Sequence, residues 1–247
     1  MQISLVSLRI AVVAVALTAS AGCAAEDADV SAQSLGPRWE VTVGASGKHN
    51  GKGWKIALPE TEIEYRWRER LVLVAKNSWA IVKPENGPSL SGLGTAKLGF
   101  KWRFWDAPEH DFSMALYPQL ARSISRSSVR LGVISAEKEF ALATETVFAA
   151  AGVEFEVKAG RKFINRKAAE WMLEVKAARN CRPSAECNLT VEHNFAPTEG
   201  QRTLVKAGID WKINAILTLK PALGREVGPR GEDRKNLTAS LGLKFKF

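Results

Sequence analysis

The sequence predicts an all-β protein: a single antiparallel transmembrane β-barrel of about 12 strands that follows a cleaved signal peptide. The first of three observations is the stretch Leu237–Phe247, where every odd position is apolar and every even position is small or charged. Such period-two alternation is typical of a strand with two unlike faces. The second is that the alternation recurs along the chain, and the third is an N-terminus composed like an export signal. In a closed barrel, the apolar faces meet lipid and no strand edge stays open.

Composition narrows the choice of protein class. The chain has 247 residues, 46% of them hydrophobic, and its mean hydropathy is −0.11. These values exclude a bundle of transmembrane helices but permit a barrel, because only alternate strand residues face lipid. The formal net charge of +9 raises the question of nucleic-acid binding. Since lysines and arginines are dispersed, with no basic helix or RNA-binding motif, we predict no nucleic-acid partner.

Residues 1–25 are predicted to be a secretory signal peptide. One charged side chain, Arg9, precedes the apolar run Ile10–Ala19, which is too short to span a bilayer. Ala19-Ser20-Ala21 fits the cleavage rule, and a cut after Ala25 fits as well. The location predicted from this signal and the barrel is the outer membrane of a Gram-negative bacterium.

The remaining chain divides into a polar tail, 26–37, and the barrel, 38–247. Cys23 follows a weak lipobox, so lipidation remains an alternative to simple cleavage.

An even strand count is usual in bacterial barrels, which makes ten and fourteen strands the alternatives to twelve. Each predicted strand alternates apolar with polar, charged or small residues, although the third does so imperfectly. In order, the predicted strands are Trp39–Val43, Glu62–Arg68, Leu71–Val82, Lys97–Phe104, Phe112–Tyr117, Val129–Val133, Val147–Val157, Glu170–Lys176, Leu189–Phe195, Val205–Lys212, Leu217–Leu223 and Leu237–Phe247.

The connections are predicted to differ between the two ends of the barrel. Long, polar, mostly glycine-rich connections are expected outside the cell, and short turns such as Glu69–Arg70 in the periplasm. A longer connection between Cys181 and Cys187 is the exception on the periplasmic side. Because an exported protein sits in an oxidising space, we predict a disulfide between these two cysteines. The long connections are predicted at 44–53, 83–92, 121–128, 158–169, 196–203 and 225–236.

Alternation also predicts which charged residues line the interior. Two interpretations stay open: mutually paired charges that fill the barrel, and a polar channel whose charges select solutes. The residues predicted to line the lumen and set selectivity are Glu62, Glu64, Arg66, Arg68, Lys97, Lys101, Arg103, Glu170, Glu174, Lys206, Asp210, Lys212, Lys244 and Lys246.

Basic residues in the long connections predict contact with the phosphates of lipopolysaccharide, although solvated loop charges explain them as well. These basic residues are Lys48, Lys52, Arg122, Arg126, Arg161, Lys162, Arg166, Lys167, Arg225, Arg230, Arg234 and Lys235.

Phe245 and Phe247 are predicted to be the signal read by the barrel-assembly machinery, because an alternating strand that ends in Phe resembles the assembly signal of outer-membrane proteins.

A lipid-modifying enzyme of the outer membrane is an alternative function, and it requires a nucleophile near a histidine. His49 and His110 fall in predicted connections, and His193 faces lipid by alternation. Ser113 and Ser240 fall on the inner face, away from His193. We therefore predict no catalytic residues, no enzyme activity, no cofactor and no metal site.

Two motifs resemble a known family. GLGTAKLGFKWRFWD at Gly92–Asp106 and FSMALYPQL at Phe112–Leu120 are similar to motifs of transporter-like outer-membrane proteins of the phenol-degradation meta-pathway family. Thr95 stands where that family commonly has Asp. The resemblance implies a barrel that passes small solutes, including aromatic ones. The function predicted is therefore a transporter or channel, with a non-conducting structural or lipopolysaccharide-binding barrel as a further alternative.

Overall fold

The computed structural model describes residues 38–50, 53–165, 167–196, 200–227 and 236–247. The predicted signal peptide, the tail 26–37 and Cys23 lie outside the described residues. Within these ranges there are thirteen strands: β1 Trp39–Asn50, β2 Gly53–Arg68, β3 Leu71–Pro84, β4 Leu90–Leu93, β5 Thr95–Ala107, β6 Phe112–Ser123, β7 Lys138–Ala150, β8 Val153–Ile164, β9 Glu170–Arg182, β10 Ala185–Ala196, β11 Gly200–Lys212, β12 Leu217–Val227 and β13 Leu237–Lys246.

The strands form one closed antiparallel sheet. Each pairs with its neighbours in sequence, and β1 pairs with both β2 and β13. Beyond the ladder, Phe247 N donates to Trp39 O at 2.8 Å and Trp39 N to Phe247 O at 3.1 Å, which completes the closure. β4 and β5 both pair with β3 and are separated by Gly94, so together they form one barrel strand. The result is a barrel of 12 strands, which confirms the predicted fold class.

Gly94 marks the break between β4 and β5 because the backbone there lies against β3. Its amide donates to Ser78 O at 2.7 Å. A Cβ at this position would lie 2.8 Å from the same carbonyl oxygen and 2.4 Å from Ser78 Oγ. Only glycine permits that approach without moving β3.

Two of the predicted strands were wrong: one is absent and the other is part of two strands, so the predicted total of twelve still holds. Val129–Val133 is not a strand: Arg126–Arg130 forms a short helix, α1, followed by turns. The Ser125 hydroxyl accepts a hydrogen bond from Ser128 N at 3.2 Å and caps this helix. Val147–Val157 is not one strand but the hairpin of β7 and β8, reversed at Ala151 and Gly152. Both turn residues have positive φ, 53° and 71° respectively.

The two ends of the barrel differ as predicted, but several long connections are shorter than expected. One end of the barrel carries the start of β1, the end of β13 and the short connections 69–70, 108–111, 151–152, 183–184 and 213–216. The other end carries the connections 85–89, 124–137 and 165–169. The predicted loop 44–53 lies mostly in β1, and 158–169 lies half in β8. Polar residues continue along these strands, so polarity alone did not mark where each strand ends. We call the two ends the short-turn end and the long-loop end.

Large apolar side chains lie on the outside of the barrel. All eight tryptophans are exposed, from 43% for Trp54 to 59% for Trp67. Six of them lie within three residues of a strand end, as in the aromatic girdles of membrane barrels, whereas Trp79 and Trp102 lie in the middle of β3 and β5. Exposed Leu and Phe residues also cover the outer surface. The buried apolar residues are mostly alanines, such as Ala115, Ala141 and Ala143. An apolar exterior with small residues inside is the arrangement expected of a barrel whose solvent is lipid. Among the described residues, no helix is long and apolar enough to cross a membrane.

Candidate functional site

The candidate site is the polar interior of the barrel. Inner and outer positions are distinguished by alternation on β3, where exposed Trp79 is followed by Ala80, which is only 4% exposed. Lys76 has the same parity as Ala80, and its Nζ lies 2.7 Å from Glu62 Oε1 on β2. The two residues are directly opposite in the ladder, so the pair bridges neighbouring strands on the inner face.

An interior charge network, formed by Lys101, Glu145, Glu156, Lys158 and Glu174, connects β5, β7, β8 and β9. Lys101 Nζ lies 2.5 Å from Glu145 Oε1, and Lys158 Nζ lies 3.5 Å from Glu145 Oε2. Lys158 Nζ also lies 3.2 Å from Glu156 and 3.9 Å from Glu174. Glu145 is only 4% exposed, so these ammonium groups compensate a carboxylate removed from bulk water.

Tyr117 occupies the space between the two lysines of the network. It lies on β6 and is 7% exposed. The Nζ atoms of Lys101 and Lys158 lie 5.9 Å and 5.8 Å from its ring centroid, within range of a cation–π interaction. The ring therefore packs among charged groups in the barrel interior rather than in an apolar core.

Several other predicted interior residues form ion pairs or hydrogen bonds across neighbouring strands. Asp210 is paired with Lys220 at 2.9 Å and accepts a hydrogen bond from Asn188 at 3.1 Å. Glu170 is paired with Lys162 at 2.8 Å. The remaining pairs between strands are Lys206 with Glu192 and Lys244 with Glu40. Arg103 is paired with Asp106 of its own strand, β5.

A second group of inner cations forms no ion pair within the described part of the chain. Arg66 lies opposite inward-facing Val72 near the end of β2, and Lys246 ends β13 opposite Glu40. Arg68 was wrongly predicted to line the lumen: a bulge between Arg66 and Arg68 places it opposite outward-facing Leu71. Lys246 and Glu64 both lie opposite Glu40 in the ladder, so these strand ends are neighbours. We call Arg66 and Lys246 the basic rim, and it lies at the short-turn end. Lys97 and Lys212 likewise form no ion pair among the described residues.

The connection 124–137 folds back into the barrel at the long-loop end. Val133 and Ile134, 2% and 8% exposed, pack against Ala80 on the inner face of β3. Ser128 of α1 is 2% exposed and lies against Gly92 of β4. A Cβ on Gly92 would be 2.3 Å from Ser128 Oγ, so the absence of a side chain there makes room for the helix. This inward segment narrows the outer half of the interior.

An ion pair joins the inward segment to the neighbouring connection. Lys167 Nζ lies 2.9 Å from Glu137 Oε1, and Ser135 Oγ donates to Glu137 Oε2 at 3.2 Å. The hydrogen bond from Lys167 holds the pKa of the Glu137 carboxylate below its usual range. The pair therefore ties 124–137 to 165–169 while Glu137 is ionised.

The structure corrects the placement of several basic residues that were predicted to lie in long connections. Arg161 and Lys162 belong to β8, and Lys162 faces inward to Glu170. Lys48 belongs to β1 and is paired with Glu226 at 3.2 Å. Arg122 and Arg225 also lie on strands, β6 and β12, and Arg126 lies in α1. Lys52, Arg166, Arg230, Arg234 and Lys235 lie outside the described residues.

The histidines do not meet the serines considered for catalysis. His49 is not in a connection as predicted but on β1, with its ring 4.7 Å from that of Trp54. His193 Nδ1 lies 2.9 Å from Thr203 Oγ1 on the outer face, whereas Ser113 and Ser240 have the inner parity. His110 lies in a 3₁₀ turn, Pro108–His110. Within the described ranges, no group of three or more potential metal ligands occurs.

The predicted disulfide is confirmed. Cys181 and Cys187 are bonded across the turn between β9 and β10, with 5.8 Å between their Cα atoms. The bond lies at the short-turn end, where the sequence predicted it.

Sequence reasoning missed three central residues: Tyr117, Glu145 and Lys158. Glu145 was detectable as the only charged residue in the stretch Phe140–Ala150. Its importance depends on which charges it meets, and that is set by the stagger between strands rather than by alternation.

Comparisons with known proteins identify the fold. No protein-family model and no curated protein sequence matches the chain. Among solved structures, an outer membrane channel from Pseudomonas putida F1 matches with a TM-score of 0.70 and 12% identity, over 91% of this chain and 100% of that one. The KdgM porin in complex with disordered oligogalacturonate matches with a TM-score of 0.60 and 9% identity, over 83% and 99%. The NanC porin matches with a TM-score of 0.61 and 6% identity, over 84% and 100%.

The closed ladder, the apolar exterior and these likenesses show that the chain has the closed β-barrel fold that outer-membrane porins and channels also have. This fold agrees with the predicted location in the outer membrane of a Gram-negative bacterium. Identities of 12% or less show the fold alone, and the similarity to the phenol-degradation family remains a resemblance of motifs.

Proposed function

We propose that the chain is an outer-membrane channel for small solutes that favours anions. The observation that carries this proposal is the basic rim, Arg66 and Lys246, which lies on the inner face without ion-pair partners among the described residues. Charged rings in a confined opening select solutes by sign, because low-dielectric walls focus the field of the charges. The other interior charges are largely paired and contribute less net field.

Size selection is proposed to arise at the opposite end. The inward segment places Val133 and Ile134 against the wall of β3, which narrows the outer half of the interior. Solutes would pass this constriction and then meet the interior charge network and the basic rim. Small molecules rather than polymers are therefore the proposed class. Aromatic carboxylates are included because of the resemblance to the phenol-degradation family.

Liposome swelling tests the proposal with three hexose-sized solutes: galactose, galacturonate and glucosamine. The refolded full chain is expected to admit galacturonate faster than galactose, and galactose faster than glucosamine. An Arg66→Gln/Lys246→Gln variant should reduce the preference for galacturonate. The control, Lys83→Gln/Arg179→Gln, removes two positive charges from positions with the outer parity and should leave the preference unchanged. Equal rates for all three solutes would overturn the anion preference.

A non-conducting barrel is a second candidate, favoured by the interior charge network and the inward segment. Paired charges fill space and satisfy one another without leaving a path for solutes. The same assay separates the candidates, since a folded barrel that admits none of the three solutes is non-conducting.

Assembly is proposed to depend on Phe245 and Phe247. Their rings stack with centroids 6.4 Å apart, and the Phe247 backbone is paired with that of Trp39. We propose that the barrel-assembly machinery binds this strand before it pairs with β1.

A further inference from the structure

A groove lies on the outer face of the barrel, across β7 to β10. Thr144, Ala159, Leu173 and His193 are successive partners in the ladder and form one row around the outside. Trp171 and Phe195 line the groove on the next row. The groove has a volume of about 400 Å³, and apolar atoms make up most of its surface. The groove forms at Thr144 and Ala159 because their side chains are smaller than those of the surrounding residues.

A cation lies at the edge of this groove, nearer to the long-loop end. Arg161 is directly opposite both Leu142 and Trp171 in the ladder and is exposed. Its guanidinium carbon lies 5.3 Å from the ring centroids of both Phe163 and Trp171. The two rings hold the planar group by cation–π interactions and leave its N–H donors available. No carboxylate pairs with Arg161 within the described part of the chain.

We propose that the outer groove with Arg161 binds a phosphorylated glycolipid of the outer leaflet, lipid A. Arg161 and Trp171 lie two residues, roughly 7 Å, closer to the long-loop end than the row of Ala159 and Leu173. A phosphate at the height of Arg161 therefore places an attached acyl chain in the apolar groove. The guanidinium fork matches a phosphate through paired hydrogen bonds, and the aromatic rings orient it.

The position of the groove favours a lipid of the outer leaflet. Arg161 is close to the end of β8, beside the connection 165–169, which belongs to the long-loop end. That end faces outside the cell in barrels of this type. The site is separate from the interior, because Lys158 and Lys162, which flank the groove residues along β8, face inward to carboxylates.

Native mass spectrometry of the detergent-solubilised full chain tests the proposal, with diphosphorylated lipid A and phosphatidylglycerol as probes. Arg161→Gln removes the cation, and Ala159→Trp fills the groove. Each is expected to weaken lipid A binding about tenfold, the effect of losing one charge-assisted contact. The controls Lys83→Gln, at an exposed position on β3, and Ala207→Trp, on the outer face of β11, should bind lipid A as the unaltered chain does.

Two results would overturn the inference. One is lipid A binding that is unchanged in both Arg161→Gln and Ala159→Trp, with each variant shown to be folded by its heat-modifiable migration on gels. The other is equal affinity of the unaltered chain for phosphatidylglycerol and lipid A, which would mean that phospholipids in general cover this face. Selective loss of lipid A binding in the two site variants, but not in the controls, supports it.

Discussion

At the scale of single residues, Gly92 determines where the inward segment can lie. The residue pairs with Ala80 in the ladder and leaves space for Ser128 of α1. Any side chain at this position would overlap Ser128. The position of α1 in the interior therefore depends on residue 92 being glycine.

We predict that Gly92→Ala displaces α1 and increases conductance. The added Cβ would lie 2.3 Å from Ser128 Oγ and 3.1 Å from Ser128 Cβ, so the helix must move. Single-channel recording and protease digestion of 124–137 measure the effect. Ser128→Gly on the same chain should restore the original conductance. Gly87→Ala is the control, since a Cβ there would meet only Pro84 at an ordinary 3.7 Å. Unaltered conductance and digestion would show that α1 does not depend on this contact.

Glu145 is the buried acid of the interior charge network. Glu145→Gln removes the charge that Lys101 and Lys158 share. We predict a loss of roughly 1–3 kcal/mol in stability, because two ammonium groups lose a charged hydrogen-bond acceptor. Unfolding in detergent, followed by tryptophan fluorescence, measures it. Glu85→Gln, in the exposed connection between β3 and β4, should change stability by less than about 0.5 kcal/mol. Equal stability of the two variants would contradict a structural role for the network.

At the scale of elements, the connection between β6 and β7 is fixed at both ends. Its apolar residues pack on β3, and Glu137 is paired with Lys167 of the next connection. The first contact does not depend on pH, whereas the second requires an ionised carboxylate.

We predict that acid releases the contact between the two connections. The pKa of Glu137 is lower in the folded protein than in the unfolded chain. Its stabilisation is therefore complete above the unfolded pKa and is lost as pH falls through the folded value. Protease digestion of 124–137 should accelerate over that acidic range. In Glu137→Gln, digestion should be fast at all pH values and lose this dependence. A pH profile shared by both chains would mean that another group controls the segment.

The strands were largely predictable because alternation is a local property. Glu62–Arg66, Val205–Lys212 and Leu237–Lys246 all lie in strands with the predicted faces. Arg68 has the opposite face because a bulge precedes it, and alternation does not detect a bulge. The hairpin in Val147–Val157 was missed because its turn is Ala151-Gly152, without the Asn-Gly or Asp-Gly pair that usually marks such turns. The strand predicted at Val129–Val133 was wrong because Val129 and Val133 pack with Ala80 from inside the barrel. Short-range alternation cannot distinguish that arrangement from a strand facing lipid.

The interior was less predictable than the strands. Alternation indicates which face of the sheet a charged residue lies on, but not its position along the barrel axis. That position depends on the stagger of all the preceding strands. Lys101 meets Glu145 from two strands away, across the strand that carries Tyr117. Such a contact follows from barrel closure, not from spacing in the sequence.

At the scale of the whole molecule, the ladder must close before the apolar exterior is stable in lipid. Each open strand edge would leave backbone groups without hydrogen-bond partners in hydrocarbon. The pairing of β1 with β13, together with the hydrogen bonds between Trp39 and Phe247, closes the barrel.

Replacing Phe247 tests the proposed assembly role. We predict that Phe247→Ala lowers the amount of folded barrel in outer membranes several-fold, because the machinery would bind the strand more weakly. The heat-modifiable fraction on gels measures folded protein in cells. Leu223→Ala, at another exposed apolar position on β12, should assemble normally. Equal amounts of the two folded variants would remove Phe247 from the proposed signal.

We propose that this closed barrel conducts small solutes through a charged interior. Single-channel recording of the refolded full chain in a planar bilayer measures that conduction. Discrete current steps are predicted, and a potassium chloride gradient should give a reversal potential of the sign set by chloride preference, because of the basic rim. A bilayer that contains barrel shown to be folded by heat-modifiable migration, yet carries no current at any voltage, would contradict the claim.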